Sequence, residues 1–190
     1  MTFHDTILQS LVKKYPSPQF TDKSDRLYEN LIETIVSQQL SVKAADTIFG
    51  RFLALFPHTQ FPIPEEILNT NDAIIRGAGL SFQKISYIKS IASTFLTGQI
   101  DEKKIKQMPD DQVSEELVKI KGVGKWTAEM ILIFTLNRPD VFSIGDLGLR
   151  NAITNLYGIT NQAEMLSLSE KWKPYRSTAC WYLWRSLEDK

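Results

Sequence analysis

Cysteine and histidine are scarce in this sequence. The chain has one cysteine, Cys180, and two histidines, His4 and His58. A single thiol excludes a disulfide framework, a four-cysteine zinc site and a cysteine-ligated iron–sulfur cluster within the chain, and it is typical of a reducing compartment. The histidines lack metal-ligand spacing, so we expect both at the surface. The composition therefore predicts no metal site built from side chains.

Long apolar runs and an excess of charge of one sign are also missing. The longest purely apolar run covers about one or two helical turns, and no N-terminal apolar segment with a small-residue cleavage site is visible, so neither a membrane span nor secretion is predicted. The 22 basic residues balance 22 acidic ones. Nucleic-acid-binding domains usually carry a basic excess. However, Lys119, Lys121 and Lys125 surround a glycine turn, which is compatible with a locally basic face.

Signals for β-strands are nearly absent, whereas helical spacing of apolar residues recurs along the chain. There is no Asn-Gly or Asp-Gly hairpin turn and no sustained apolar–polar alternation. Helical periodicity and end signals predict an all-α protein. The predicted helices cover about 27–36 with Ser24 or Asp25 as cap, 41–55 with Ser41 as cap, the segment between Gly79 and Gly98, 109–120, 126–136, 146–157, 163–168 and 174–187. The helix at 126–136 is apolar enough to be buried, and 58–66 is interpreted as a proline-rich connector.

The stretch IKGVGKWTAEM (120–130) interrupts two predicted helices with a glycine pair. Gly122 and Gly124 can adopt positive φ angles and have no Cβ, so the amides of Val123, Gly124 and Lys125 could approach an anion at a helix N-terminus. A DNA phosphate would suit such a site. For an isolated glycine pair, the simpler alternative is a helix C-cap followed by a short connector.

A second motif, DVFSIGDLGLR (140–150), follows the apolar helix behind this turn. The pair of motifs resembles the helix-hairpin-helix DNA glycosylase superfamily, in which an Asp lies about twenty residues past the second glycine; Asp146 lies 22 residues past Gly124. The resemblance extends from about Leu31 to the C-terminus. It is strongest to the alkylated-base branch, 3-methyladenine DNA glycosylase II and its shorter relatives.

The resemblance implies a fold and a domain organisation. We expect a single glycosylase unit over 1–190 with two all-helical lobes around a cleft, a middle lobe at about 31–136 and a second lobe from 1–30 and 137–190, with Asp146 at the cleft. The iron–sulfur loop and the N-terminal β domain of longer relatives are not expected.

The resemblance also implies the chemistry. Asp146 would be the catalytic carboxylate that stabilises positive charge on the sugar as the base departs, and it could also activate water. Local sequence alone favours a simpler role for Asp146 as the cap of the next helix. Bifunctional relatives carry a Schiff-base lysine where this chain has Trp126, so we expect base excision without strand cleavage and no AP lyase activity.

The base pocket implied by the resemblance includes Trp126, Trp184 and Met130, of which Met130 replaces a tyrosine of the family. Aromatic faces would favour cationic, alkylated purines by roughly 0.5–2 kcal/mol each. Tryptophans at helical spacing are more often core residues, so this alternative stays open for both.

The implied DNA contacts lie in two segments. In IVSQQLSVKAA (35–45), Gln39 matches the residue that fills the space left by the flipped nucleotide, with Gln38 and Ser41 beside it; a polar interhelix turn is the alternative. The hairpin would add backbone and side-chain contacts, and its carbonyls near Ile120 and Val123 could hold Na⁺ or K⁺. The predicted hairpin residues are Lys121, Gly122, Val123, Gly124, Lys125 and Thr127.

The predicted function is therefore removal of alkylated purines, of the 3-methyladenine and 7-methylguanine type, from damaged double-stranded DNA in base excision repair. We expect a monomer without an organic cofactor, cytoplasmic and nucleoid-associated if bacterial, nuclear if eukaryotic. Two alternatives remain: a glycosylase of the same fold for deaminated, etheno or mismatched bases, and a catalytically silent DNA-binding module.

Overall fold

The computed structural model describes residues 3–188, and within them all regular structure is helical. This confirms the predicted all-α class. The helices are α1 (Thr6–Lys14), a 3-10 turn (Ser24–Arg26), α2 (Leu27–Ser37), α3 (Val42–Leu53), α4 (Pro64–Asn69), α5 (Asp72–Gly77), α6 (Phe82–Leu96), α7 (Glu102–Gln107), α8 (Asp110–Leu117), α9 (Lys125–Phe134), α10 (Leu147–Tyr157), α11 (Gln162–Glu170) and α12 (Arg176–Arg185). Within the described residues, every helix is too short or too polar to cross a lipid bilayer.

The helices form two compact units. The middle unit comprises Lys23–Ile131, and the terminal unit comprises residues 3–22 together with 132–188. Helix α9 is continuous across the boundary between Ile131 and Leu132.

The core of the middle unit is built around α6, which packs against α2, α4 and α5. Helix α6 has a stripe of fully buried residues at helical spacing, among them Ile85, Ile88 and Ile91. Each such side chain contributes roughly 1.5–3 kcal/mol when it is removed from water. Ser81 caps the helix, since its hydroxyl accepts the Lys84 N–H at 3.2 Å. The longest helix of this unit is therefore set by local caps and by one apolar face.

The core of the terminal unit joins the two ends of the chain. Asp5 caps α1 through its Oδ1 atom, and its Oδ2 atom accepts hydrogen bonds from the Tyr157 hydroxyl at 3.0 Å and the Trp172 indole at 3.2 Å. Trp172 and Tyr182 are buried beside Leu8. Burial and the neighbouring Asp5 carboxylate raise the pKa of Tyr157, which keeps its hydroxyl protonated as a donor. One carboxylate thus links the start of α1 to the end of α10 and to the turn after α11, in addition to the apolar packing of α1.

Several predicted boundaries were wrong. Neither Ser24 nor Asp25 caps α2, because a 3-10 turn precedes it and Arg26 occupies the cap position. The connector predicted at 58–66 ends inside α4, which Pro64 begins. Sequence analysis did not predict α1, α4, α5 or α7, and three of these four have only six residues, too few to show a clear apolar period.

Other local predictions were confirmed. Ser41 caps α3, with its hydroxyl accepting the Ala44 N–H at 3.4 Å. His4 and His58 are both exposed. Helix α9 is mostly buried as expected, although it ends at Phe134 and exposes Trp126 and Phe134.

Candidate active site

Asp146 lies at the start of α10, where one carboxylate oxygen has two structural partners. Its Oδ1 atom accepts the Leu149 N–H at 2.7 Å, which caps the helix, and the Trp184 indole N–H at 2.9 Å. The helix N-terminus and the indole N–H both place positive partial charge beside this carboxylate oxygen. The capping role suggested by local sequence is therefore present, and it leaves a catalytic role open because the two are compatible.

The first part of the loop that leads to Asp146 is held by the start of α12. Arg176 makes a paired contact with Asp140, from Nε to Oδ1 at 2.8 Å and from Nη2 to Oδ2 at 3.0 Å. Ser177 donates to the Arg138 carbonyl at 2.6 Å and accepts the Val141 N–H at 3.0 Å. Such two-point contacts restrict rotation as well as distance.

Arg150 holds the last part of the same loop. Its Nη1 atom donates to the carbonyls of Ile144 at 3.0 Å and Gly145 at 2.9 Å, immediately before Asp146. Sequence analysis missed this role of Arg150 and the roles of Arg176, Asp140 and Ser177. Polar residues such as Arg176 and Ser177 are visible in the sequence near the helix ends. Their type alone does not indicate which residues they contact.

The predicted pocket residues are found in different settings. In the terminal unit, Trp184 is partly buried and its ring lies 5.7 Å from that of Phe134, centroid to centroid. In the middle unit, Trp126 is 36% exposed, which is unusual for a core tryptophan, whereas Met130 is only 8% exposed. In the structure, Trp184 therefore contacts Asp146 through a hydrogen bond. The roles of Trp126 and Met130 in a base pocket stay predictions.

The glycine turn between α8 and α9 has one strained position. Gly122 has a φ of +95°, and a Cβ there would lie 2.1 Å from the ring of Tyr87, so only glycine fits. Helix α8 ends at Leu117 with Val118 as its C-cap, so Gly122 is not the C-cap of that helix. Gly124 is not among the glycines with positive φ, and an added Cβ would meet open space.

The predicted contribution of the Val123 amide to an anion site was wrong. This N–H already donates to the Ile120 carbonyl at 3.0 Å, and the residue is only 4% exposed. An anion would instead meet the backbone from Gly124 onward, at the N-terminus of α9, where unsatisfied donors of the helix lie. Lys121 and Lys125 flank this point and are exposed, with the Lys121 ammonium donating to the Ser86 hydroxyl at 2.9 Å.

The loop after α2 contains the other predicted DNA contacts. Gln39 is exposed and has a φ of +59°, a left-handed conformation that is uncommon for a residue other than glycine. Gln38 donates its side-chain amide to the Thr127 hydroxyl at 3.1 Å. Because Thr127 is 2% exposed, it acts on this loop and not as a surface contact. Ser41 is exposed and caps α3.

The described residues contain no group of three or more His, Cys, Asp or Glu side chains arranged to hold a metal ion. The predicted monovalent cation would use main-chain oxygens instead. Na⁺ or K⁺ at the hairpin carbonyls near Ile120 and Val123 stays a prediction. The Ile120 carbonyl already accepts one hydrogen bond there, so it would offer its second lone pair.

Comparisons with known proteins agree with this architecture. Residues 32–176 match the model of the HhH-GPD superfamily base excision DNA repair proteins. DNA-3-methyladenine glycosylase 1 of Schizosaccharomyces pombe is 40% identical over 183 residues, with 94% of this chain and 80% of that protein covered.

Two solved structures are similar throughout. The S. pombe 3-methyladenine DNA glycosylase Mag1 in complex with abasic DNA has a TM-score of 0.88 and 38% identity, with 97% of this chain and 93% of that chain covered. DNA-3-methyladenine glycosidase from Bacillus halodurans has a TM-score of 0.80 and 33% identity, with coverages of 97% and 86%. The chain therefore belongs to the HhH-GPD superfamily of base excision DNA repair proteins.

Proposed function

We propose that the protein is a monofunctional DNA glycosylase that hydrolyses the N-glycosidic bond of alkylated purines in double-stranded DNA. The observation that carries the proposal is the Asp146 carboxylate, whose Oδ1 atom is held by the α10 N-terminus and by the Trp184 indole. Family membership and the relatives named as 3-methyladenine glycosylases support it. The proposal includes a monomeric protein, a compartment that contains DNA, and Na⁺ or K⁺ at the hairpin as an accessory ion.

The reaction breaks the bond between C1′ of the sugar and a purine nitrogen. The bonding electron pair leaves with the base, positive charge develops on the sugar, and a water oxygen then bonds to C1′ while its extra proton passes to Asp146 or to solvent. A preorganised carboxylate stabilises this charge without having to reorganise during the reaction. An alkylated purine already carries a positive charge, so it can depart without a general acid.

In this proposal, aromatic side chains select the damaged base. Trp126 exposes part of its indole in the first turn of α9, where its π face can contact a cationic ring. A tryptophan also lacks the amine that a Schiff base requires, so cleavage of the abasic strand is not part of the proposed activity.

In this proposal, two parts of the middle unit bind DNA, the N-terminus of α9 and the loop that contains Gln39. The N-terminus of α9, flanked by Lys121 and Lys125, would bind a phosphate, and Gln39 would occupy the space left by the flipped nucleotide. The flipping costs a few kcal/mol and is least costly at damaged bases.

The decisive experiment compares Asp146→Asn with Asp5→Asn on methylated duplex DNA under single-turnover conditions. Asparagine is an equally good helix cap, so Asp146→Asn keeps the cap of α10 and removes only the charge. We expect base release to fall by about 100-fold or more, as when a strong electrostatic contact to a transition state is removed. Asp5→Asn is the folding control: Asp5 also caps a helix and accepts an indole N–H in the same unit, but it uses both carboxylate oxygens, so asparagine there loses one acceptor.

Four results would count against this proposal. If the wild type releases no methylated purine but releases hypoxanthine, an ethenoadenine or a mismatched base, the lesion class is wrong. If it binds DNA and releases nothing, the protein is a silent binding module. If both Asn variants lose activity in proportion to their loss of melting temperature, Asp146 acts only through folding. Cleavage of an abasic strand by the wild type would contradict the monofunctional assignment.

A further inference from the structure

Lys84 lies in the first turn of α6 and points its ammonium group at another helix. Its Nζ atom donates to the Val36 carbonyl at 2.7 Å and to the Gln38 carbonyl at 2.8 Å. The side chain is partly buried, and burial lowers the pKa of Lys84. A lysine that is withdrawn from water in this way needs compensating hydrogen bonds, which these two carbonyls supply.

These carbonyls belong to the end of α2, where the chain turns into the loop of Gln38, Gln39 and Leu40. The last carbonyls of a helix lack hydrogen-bond partners within the helix, and they carry the negative end of its dipole. A lysine ammonium there is therefore stabilised both by hydrogen bonds and by the helix dipole. The next residue, Gln39, has a φ of +59°, a left-handed conformation that is unfavourable for a residue with a Cβ. The contact with Lys84 therefore lies directly before a strained position.

Apolar packing does not explain how this loop keeps its shape. Gln39 and Leu40 are exposed, and a cavity of about 240 Å³ lies beside the loop. Its lining includes Gln38, Gln39, Leu40, Ser81 and Lys84. Besides the backbone hydrogen bonds from Gln38 to Thr34 and from Leu40 to Ser37, two side chains hold the loop. They are Lys84, whose ammonium donates to the loop backbone, and Thr127, whose hydroxyl accepts from the Gln38 side chain.

We propose that Lys84 is a positioning residue that holds the 38–40 loop in the strained conformation required for Gln39 to enter the DNA stack. This inference rests on the proposed function, in which Gln39 fills the space left by the flipped nucleotide. Lys84 touches neither substrate nor reacting atoms in this scheme. It lowers the cost of inserting Gln39, because the loop does not have to be ordered again on each encounter with DNA.

Lys89 provides a matched control on the same helix. Its Nζ atom donates to the Thr70 carbonyl at 2.8 Å and pairs with Asp72, so it also fastens α6 to a main-chain oxygen, away from the 38–40 loop. Lys84→Met and Lys89→Met each remove one partly buried ammonium that has two oxygen partners, two carbonyls for Lys84 and a carbonyl and a carboxylate for Lys89. Both changes keep a flexible apolar side chain of similar length.

The test measures three quantities for the wild type and both variants. They are the melting temperature, the affinity for a duplex containing a stable abasic-site analogue, and the fluorescence rise of 2-aminopurine next to that analogue, which reports unstacking by an inserted side chain. We expect both variants to lose similar stability. Only Lys84→Met should lose the fluorescence rise and bind the abasic duplex about tenfold or more weakly, and Lys84→Arg, which retains donors, should restore part of the signal.

Equal losses of fluorescence and affinity in Lys84→Met and Lys89→Met would overturn the positioning role, as would an unchanged fluorescence rise in Lys84→Met. The readouts require no base release, so they stay separate from the proposed activity. If the wild type inserts into abasic DNA but releases no base, the glycosylase proposal fails while this inference stands. If the wild type gives no fluorescence rise, the role of Gln39 and this inference both fail.

Discussion

Individual side chains in this protein combine structural and proposed functional roles. Asp146 is both the cap of α10 and the proposed catalytic group, and Trp184 is both part of the core of the terminal unit and the donor to that carboxylate. Loss of activity in a variant is therefore informative only when it is compared with loss of stability. Conservative substitutions that remove one contact at a time separate the two.

Trp184→Phe removes the hydrogen bond to Asp146 and keeps an aromatic ring beside Phe134. Hydrogen bonds to charged groups contribute about 1.5–3 kcal/mol, so we expect single-turnover base release to fall roughly tenfold or more. Trp181→Phe is the control on the same helix, since Trp181 packs edge-on against Tyr182. Equal activity of the two variants at equal melting temperature would show that the indole does not orient the carboxylate.

Gly122→Ala and Gly124→Ala separate folding from DNA contact at the hairpin. At Gly122 the alanine Cβ would collide with Tyr87 and require a positive φ, which should cost about 2 kcal/mol or more of stability in urea unfolding. At Gly124 it meets open space, so stability should change by less than about 1 kcal/mol.

The same Gly124→Ala variant should bind duplex DNA more weakly, because its methyl group stands where a phosphate would approach the α9 N-terminus. Anisotropy titrations measure this affinity. Wild-type affinity in a folded Gly124→Ala variant would exclude close approach of DNA to this turn.

Among the helices, α2 depends on a distant residue for its N-terminal cap. Glu102, in the first turn of α7, accepts the Tyr28 N–H at 3.1 Å through Oε1, whereas Ser24 and Asp25 do not cap the helix. Burial, followed by the nearby Asp25 and Glu29 charges, raises the pKa of Glu102, and the hydrogen bond from Tyr28 opposes this only in part. The cap is therefore made by a carboxyl group that folding shifts toward its protonated form.

This shift predicts a pH dependence. A folded-state pKa above the unfolded value means that Glu102 contributes most to stability below its ordinary pKa of 4.5, and that this contribution is lost as the pH rises through the folded-state pKa. Glu102→Gln keeps the acceptor without the charge. Its stability relative to the wild type should therefore be highest near pH 7 and should decline toward pH 5 in urea unfolding.

Glu102→Ala is the control, since it removes the cap and should cost about 1 kcal/mol near neutral pH. A stability difference between Glu102→Gln and the wild type that is constant from pH 7 to pH 5 would contradict the raised pKa.

Over the full chain, the formal net charge is zero, so general attraction to DNA is weak and local features must supply the affinity. Each phosphate neutralised in duplex DNA contributes about −0.9 to the slope of log K against log salt concentration. With Lys121 and Lys125 as exposed cations at the α9 N-terminus, we expect a shallow slope of about −2.

Lys125→Gln should reduce the magnitude of this slope by about one in anisotropy titrations on undamaged duplex. Lys103→Gln changes the net charge equally at an exposed site on α7 and serves as the control. Identical slopes for the two variants would place the phosphate contacts away from the hairpin.

The sequence by itself determined the features that depend on near neighbours. Apolar spacing, Ser41, other helix-end signals and the glycine pair are local, so the all-α class, the main helices and the hairpin were predictable from them. The resemblance to a known family, which is also carried by sequence motifs, identified Asp146 as the candidate catalytic residue. Short helices of six residues were missed because a single turn and a half shows no clear period.

Only the tertiary structure decided which side chains meet across long separations in the chain. Trp184 donates to Asp146 across 38 positions, Glu102 caps α2 across 74, and Gln38 reaches Thr127 across 89. Such contacts depend on how several helices pack together, and no local pattern encodes a partner that distant. The hydrogen bond from the Val123 amide to the Ile120 carbonyl spans only three residues, but it also needed the structure. It depends on the turn geometry adopted around Gly122.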